Sequence, residues 1–257
     1  MIKRYVVISD TQIPYHDQRA VNAVINFIKV TKPDEVVHIG DLMDYPGPSR
    51  WSKGGRGEFE TNIFEHSDIA KRKFLTPLRE AYDGPVGVIE GNHDERPRVY
   101  LEKYAPALSG KQEYNFDALL DFESYEIRVL PETYKFAPGW IMTHGHRQGI
   151  RLTNIPGNTA TNAAKRLGVS VIMGHTHRMG IGGHTIGHNG TVVQKLTGVE
   201  VGNLMDYKHA SQQYLKGGTA NWQKGFAVVD VDGKCVAPQL VFIEGNKFIV
   251  DGKTYSV

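Results

Sequence analysis

Five short polar clusters hold the side chains with a capacity for chemistry. They are Asp10 and Gln12 in SDTQ, Asp41 and Asp44 in GDLMD, Asn92 and His93 in GNHD, His144 and His146 in THGH, and His175 and His177 in GHTH. Asp and Asn offer hard oxygen donors and His offers imidazole, a mixture that suits a pair of divalent transition ions. A carboxylate can bridge two ions roughly 3.5–4 Å apart, which together clamp an in-line displacement at phosphorus. An isolated Asp after a strand is ordinarily a turn residue, and GDLMD or GNHD alone reads as a turn. GHTH resists that reading, because two histidines beside a glycine do little for a core.

Each cluster follows an apolar run. Arg4–Ile8 reads as a buried strand before Asp10, 34–39 as a strand before GDLMD, and Pro85–Ile89 as a strand before GNHD. Further along, YKFAPGWIMTHGH and VSVIMGHTH are extended, as are YEIRVL, TVVQKLTG, GFAVVDVDG and QLVFIEGNKFIVDG. VDGK and EGNK mark hairpin turns. The spacing of Val21, Val24, Ile25 and Ile28 predicts a helix over 17–30. Helices are also expected over 67–82, over 97–104 with proline in its first turn, and over 162–167. In open α/β sheets the carboxyl ends of strands converge on a functional crevice. Mixed βαβ units followed by more strands predict one α/β domain over 1–257, with two stacked sheets flanked by helices.

The chain has 257 residues, enough for a substantial core. A formal net charge of +2 gives no argument for a nucleic-acid partner. No run is long and apolar enough for a membrane span, and the N-terminus lacks a signal-peptide pattern. Cys235 is the single cysteine, which excludes an internal disulfide and fits a reducing, cytoplasmic setting.

The order and types of the five clusters resemble the calcineurin-like metallophosphoesterase family. Its pattern is D-x-H, G-D-x-x-D, G-N-H-D/E, a lone His, then G-H-x-H. The resemblance implies a two-sheet αββα sandwich with its metals at the carboxyl ends of the strands. It also implies roles. Asp41 bridges two ions; Asp10, Gln12 and His177 hold the first; Asn92, His144 and His175 hold the second. His93 corresponds to a histidine that contacts the phosphate and protonates the leaving oxygen. Asp44 corresponds to the carboxylate that orients it. Asn92 also contacts the phosphate. Gln12 departs from the family's first-motif histidine. A neutral amide oxygen is a harder and weaker donor than imidazole, so the first ion is expected to bind less tightly. His16 is poorly spaced to compensate.

Outside the motifs, other residues offer alternatives. Arg96 either forks onto a phosphate or pairs with Glu95 or Asp94. His146 faces either substrate or solvent. His38 reads as a satisfied core histidine; His184, His188 and His209 read as structural or surface residues. The loop over 46–61 interleaves Arg50, Lys53 and Arg56 with Trp51 and Phe59. That composition suggests a flap that stacks on a nucleobase, or an ordinary loop.

The expected activity is hydrolysis of a phosphoric ester by metal-activated water, a diester before a monoester, with a nucleotide or cyclic nucleotide as substrate. The expected cofactors are two divalent ions, Mn²⁺ first, with Fe, Zn, Ni or Mg as alternatives. The rival readings are a nuclease or monoesterase of the same chemistry, and a non-catalytic metal-binding scaffold.

Overall fold

The computed structural model describes residues 1–209, 215 and 218–257. The strands in chain order are β1 (Lys3–Ile8), β2 (Glu35–His38), β3 (Val86–Ile89), β4 (Ile127–Leu130), β5 (Tyr134–Ala137), β6 (Trp140–Thr143), β7 (Ser170–Met173), β8 (Met179–His188), β9 (Thr191–Val201), β10 (Gly225–Asp232), β11 (Cys235–Phe242), β12 (Lys247–Val250) and β13 (Lys253–Ser256). The main helices are α1 (Gln18–Thr31), α2 (Ile63–Ala70), α3 (Thr76–Ala81), α4 (Arg96–Tyr104) and α5 (Asn158–Leu167).

One sheet has the order β11-β10-β1-β2-β3-β4, the other β5-β6-β7-β9-β8; β12 and β13 form a separate hairpin. From β1 to β4 neighbouring strands are parallel. The alternation along β1 assigns its faces. Tyr5 and Val7 point into a layer shared with Val37, Met142, Ile172 and Val199, which is the interface between the sheets. Val6 and Ile8 point the other way, onto Val21, Val24, Phe27 and Ile28 of α1 and onto Leu75 and Leu78 around α3. On the far side, Ala160, Ala163 and Ala164 of α5 cover Ile141, Val171 and Leu196. The layers are therefore helix, sheet, sheet, helix, as expected from the sequence. Burial on both faces explains why β1, β2 and β3 read as continuous apolar runs.

Several boundaries move for physical reasons. Asp17 is not in the helix but caps α1, accepting from the amides of Arg19 and Ala20. The helix expected over 67–82 begins at Ile63, where the Asn62 side chain accepts from Phe64 N at 2.9 Å. A π-helical turn over Lys71–Leu75 joins α2 to α3. The helix expected from 162 begins at Asn158, because Gly157 turns the chain at φ 82° and Glu200 accepts from Ala160 N at 3.2 Å. That carboxylate comes from another strand, so the local sequence does not signal it. No described helix is long and apolar enough to cross a membrane.

Candidate metal centre

The first sheet delivers Asp10 after β1, Asp41 and Asp44 after β2, and Asn92 and His93 after β3. The second delivers His144 after β6 and His175 and His177 after β7. All seven side chains proposed as ligands, together with His93 and Asp44, meet where the two sheets' strand ends face each other. Asp41, His144 and His175 form one group of candidate donors, and Asp10, Asp41 and His177 a second; within each, the donor atoms lie within 4.8 Å of one another. Asp41 belongs to both. His144 Nε2 lies 3.2 Å from Asp41 Oδ2 and 3.2 Å from Asn92 Oδ1. His177 Nε2 lies 3.1 Å from Asp10 Oδ1.

The backbone is bent to achieve this. Asp10, Gln12, Asp41, His175 and His177 all have φ between 51° and 66°, the left-handed region that non-glycine residues rarely occupy. Such conformations cost roughly 1–3 kcal/mol each and persist where the surroundings impose them. Two glycines permit the close approach: a Cβ on Gly91 would collide with the carboxylate and amide of Asp41, and one on Gly174 with Ser9 Oγ.

Surrounding groups fix the orientation of the donors. His144 Nδ1 lies 3.0 Å from the Ile39 carbonyl, to which it donates, so that Nε2 faces the cluster. His175 N donates to Asp10 Oδ2 at 3.0 Å and His93 N to Asp41 Oδ1 at 2.8 Å. Asp94 accepts from the amides of Asp41, Met43 and Gly91, each at 2.8 Å, and so holds the GDLMD and GNHD turns together.

The donor set fits divalent ions. Asp10 and Asp41 are fully buried, where an uncompensated carboxylate costs several kcal/mol. Gln12 Oε1 is buried with no hydrogen-bond partner, an arrangement proteins rarely leave unexplained. Burial works against the charge of Asp41, but His144 and His93 beside it hold it well below the usual carboxylate range. Burial also opposes charge on His144, and Asp41 outweighs it, raising that imidazole to about 9. For His175, burial and then His144 lower it to about 4, favouring the neutral, ligating form.

Gln12 sits at the family's histidine position, with Nε2 3.0 Å from Asp41 Oδ2 and 3.5 Å from His177 Nε2. Rotation of its terminal amide brings Oε1 to the same side. His93 Nδ1 lies 2.6 Å from Asp44 Oδ1. Arg96 pairs neither with Glu95 nor with Asp94: it donates to the Asp44 carbonyl at 2.6 Å and, through Nη2, faces His93 Nε2 at 3.0 Å. Glu95 instead pairs with Arg147. His146 packs beside His144 and His175, with both ring nitrogens buried and without partners. Burial, then His144, pushes it down to about 3. His38 is buried, with Nε2 3.1 Å from Thr11 Oγ1, as a core histidine should be. His16 bonds Gln18 and stays outside the cluster.

Four contributors carry no sequence motif. The first is Glu200, which accepts from Thr176 Oγ1 at 3.0 Å, between the two histidines of GHTH. Asn203 Nδ2 and Gln223 N both donate to the His177 carbonyl, at 2.9 and 3.0 Å. Trp222 lies edge-to-face on the His177 ring, with centroids 4.7 Å apart. Trp222 belongs to the stretch 214–222 that suggested no role; 214, 216 and 217 lie outside the described residues. A pairing between chain-distant side chains was the missing information.

A family model for calcineurin-like phosphoesterases matches residues 3–179. The chain belongs to that family, a class of phosphoester hydrolases that use divalent metal ions. It is 58% identical over 259 residues to the Gene 54 protein of Mycobacterium phage L5 and, equally, to that of Mycobacterium phage D29; each match covers 100% of both chains. Among solved structures, it is similar to a metallophosphoesterase from Sphaerobacter thermophilus, at 15% identity and TM-score 0.46, covering 95% of this chain and 89% of that one. Vacuolar Protein Sorting 29 from Cryptosporidium parvum gives 15% identity and TM-score 0.44 over 98% and 94%.

Proposed function

We propose that the chain is a phosphodiesterase with two metal ions, acting as one catalytic unit over residues 1–257 on a nucleotide or cyclic nucleotide. The observation that supports this most directly is Asp41, shared by two groups of buried donors, with His93 and Asp44 at their rim. Asp41 would be shared by the two ions; Asp10, Gln12 and His177 would complete the first site, and Asn92, His144 and His175 the second. Mn²⁺ is the expected ion, on the mixed oxygen and imidazole set. Bound ions supply the Lewis acidity that activates water and neutralises charge on the phosphoryl oxygens.

The protein's own groups do the rest. Asn92 orients a phosphoryl oxygen. Asp44 holds His93 through Nδ1, which aims Nε2 at the departing oxygen, where it delivers a proton. The Arg96 guanidinium beside Nε2 must turn away for that transfer, and an incoming phosphate draws it. The water oxygen forms the new bond to phosphorus while the bond to the alcohol breaks. A single cysteine agrees with a cytosolic setting.

The test is a panel of a chromogenic diester, a monoester, cyclic nucleotides and single-stranded DNA with defined metals. Metal-dependent turnover of the diesters above the monoester is expected. Preference for the monoester or DNA selects a rival activity, and no turnover of any substrate leaves the scaffold reading.

A further inference from the structure

A cleft of about 460 Å³ opens beside the metal centre, between the loop carrying Trp51 and helix α4. That volume lies within the roughly 300–1,000 Å³ of small-molecule sites. His93 and Asn92 form its inner end, and Tyr104 and Lys103 its outer end. The position of His93 is decisive. A group that protonates a leaving oxygen faces the leaving group, so a cleft lined by His93 holds the part of the substrate that departs.

The walls specify what departs. Trp51 is 80% exposed, with the Arg50 guanidinium 4.6 Å from its ring centroid. An indole so exposed, with a cation on one face, leaves the other face open for a flat π-system. Opposite, Lys103 lies 5.1 Å from the Tyr104 ring centroid. Neither Arg50 nor Lys103 pairs with an acidic group among the described residues. Glu95, the one carboxylate in the lining, is neutralised by Arg147. The cleft thus combines an open aromatic platform with excess positive charge, the pairing that binds a base and its phosphate.

We infer that this cleft takes the nucleoside of the leaving group, so that the scissile bond joins phosphorus to a nucleoside oxygen. The inference rests on the phosphoesterase reading above. In the step, water forms the bond to phosphorus, the phosphorus–oxygen bond to the nucleoside breaks, and the proton on His93 Nε2 passes to the nucleoside oxygen. The other substituent stays on the phosphate.

The test is calorimetric binding to the Mn²⁺-loaded full chain. The probes are the AMP analogue with a methylene in place of the 5′ oxygen, which resists hydrolysis, and the matching ribose phosphonate without a base. Base stacking predicts that the adenosine compound binds about 5- to 150-fold tighter. Trp51→Ala should abolish that preference, and Arg50→Gln should reduce it. Equal binding of the two probes by the wild type would overturn the inference, as would an undiminished preference in both variants. A single-stranded oligonucleotide that binds far tighter than the adenosine probe, with steep salt dependence, would also overturn it in favour of a polynucleotide track. Hydrolysis of bis(4-nitrophenyl) phosphate is measured separately: its absence, with the base preference intact, defeats the enzymatic reading and leaves the base pocket standing.

Discussion

His93 Nδ1 and Asp44 Oδ1 lie 2.6 Å apart, and Asp44 is 1% exposed. A buried carboxylate this close fixes the orientation of the imidazole ring and leaves Nε2 facing outward, placed to deliver a proton. His93→Ala should therefore cut turnover of an unactivated diester by roughly 10²–10⁴-fold. The loss should be much smaller on a nitrophenyl ester, whose leaving group needs little protonation. Asp44→Asn should show the same substrate dependence with a smaller loss. Equal losses on both esters would assign His93 to phosphate positioning, and a fall in metal content would make it a ligand.

Asp41 stands in both groups of donors, whereas His175 stands in one. Asp41→Asn should therefore weaken both metal positions, and His175→Ala chiefly the second. Bound-metal stoichiometry checks this directly. Chelation should abolish activity, and Mn²⁺ should restore it best. Full activity after dialysis against excess chelator would contradict the two-metal reading.

Much of this site is legible in the sequence because the fold's chemistry is concentrated at strand ends. Asp10, Asp41, Asn92, His144 and His175 each follow an apolar run, and parallel strands bring their carboxyl ends together. What the sequence hides is closure between distant segments. Nothing near Trp222 announces that it meets His177, 45 positions earlier. Nothing near Asn158 announces that Glu200 stabilises the start of its helix. Arg96 follows GNHDE directly, yet its partners are set by the path of the Asp44 turn.

Gln12 places a neutral amide where imidazole is usual, with Oε1 buried and unpartnered. The site of Asp10, Gln12 and His177 should fill at higher metal concentration than that of Asn92, His144 and His175. Hard ions such as Mn²⁺ or Mg²⁺ should be favoured there over Zn²⁺. Gln12→His should lower the metal concentration needed for half activity. A metal titration of both proteins, read by stoichiometry and turnover, checks it. Two equally tight ions in the wild type, with no change in the variant, would show that the glutamine is an adequate ligand.

Trp222 fixes the His177 ring by an edge-to-face contact. Such pairs contribute about 0.5–1.5 kcal/mol. Trp222→Ala should therefore weaken the first metal site by about 2- to 13-fold and leave the second unchanged. Calorimetric metal titration separates the two. Equal weakening of both sites would mean that the substitution disturbs the fold around the centre.

Asp17 ties the start of α1 to Lys224, the residue just before β10. Its Oδ1 accepts from Arg19 N at 3.1 Å and Ala20 N at 3.3 Å, and its Oδ2 pairs with Lys224. Part-burial opposes its charge, but Lys224 and the two amides hold its carboxyl below the ordinary value. The folded-state value is depressed, so the charged form adds stability above the unfolded-state value of about 3.9, and that contribution disappears as pH falls through the folded-state value. Two substitutions separate the roles. Asp17→Ala removes cap and charge and should cost about 0.5–2 kcal/mol for the cap, plus the ion pair. Asp17→Asn keeps the cap and loses only the charge, so it should cost less. Urea midpoints of wild type and Asp17→Asn should differ at pH 7 and converge below about pH 4. A gap that stays constant through that range would show that Lys224 contributes nothing through charge.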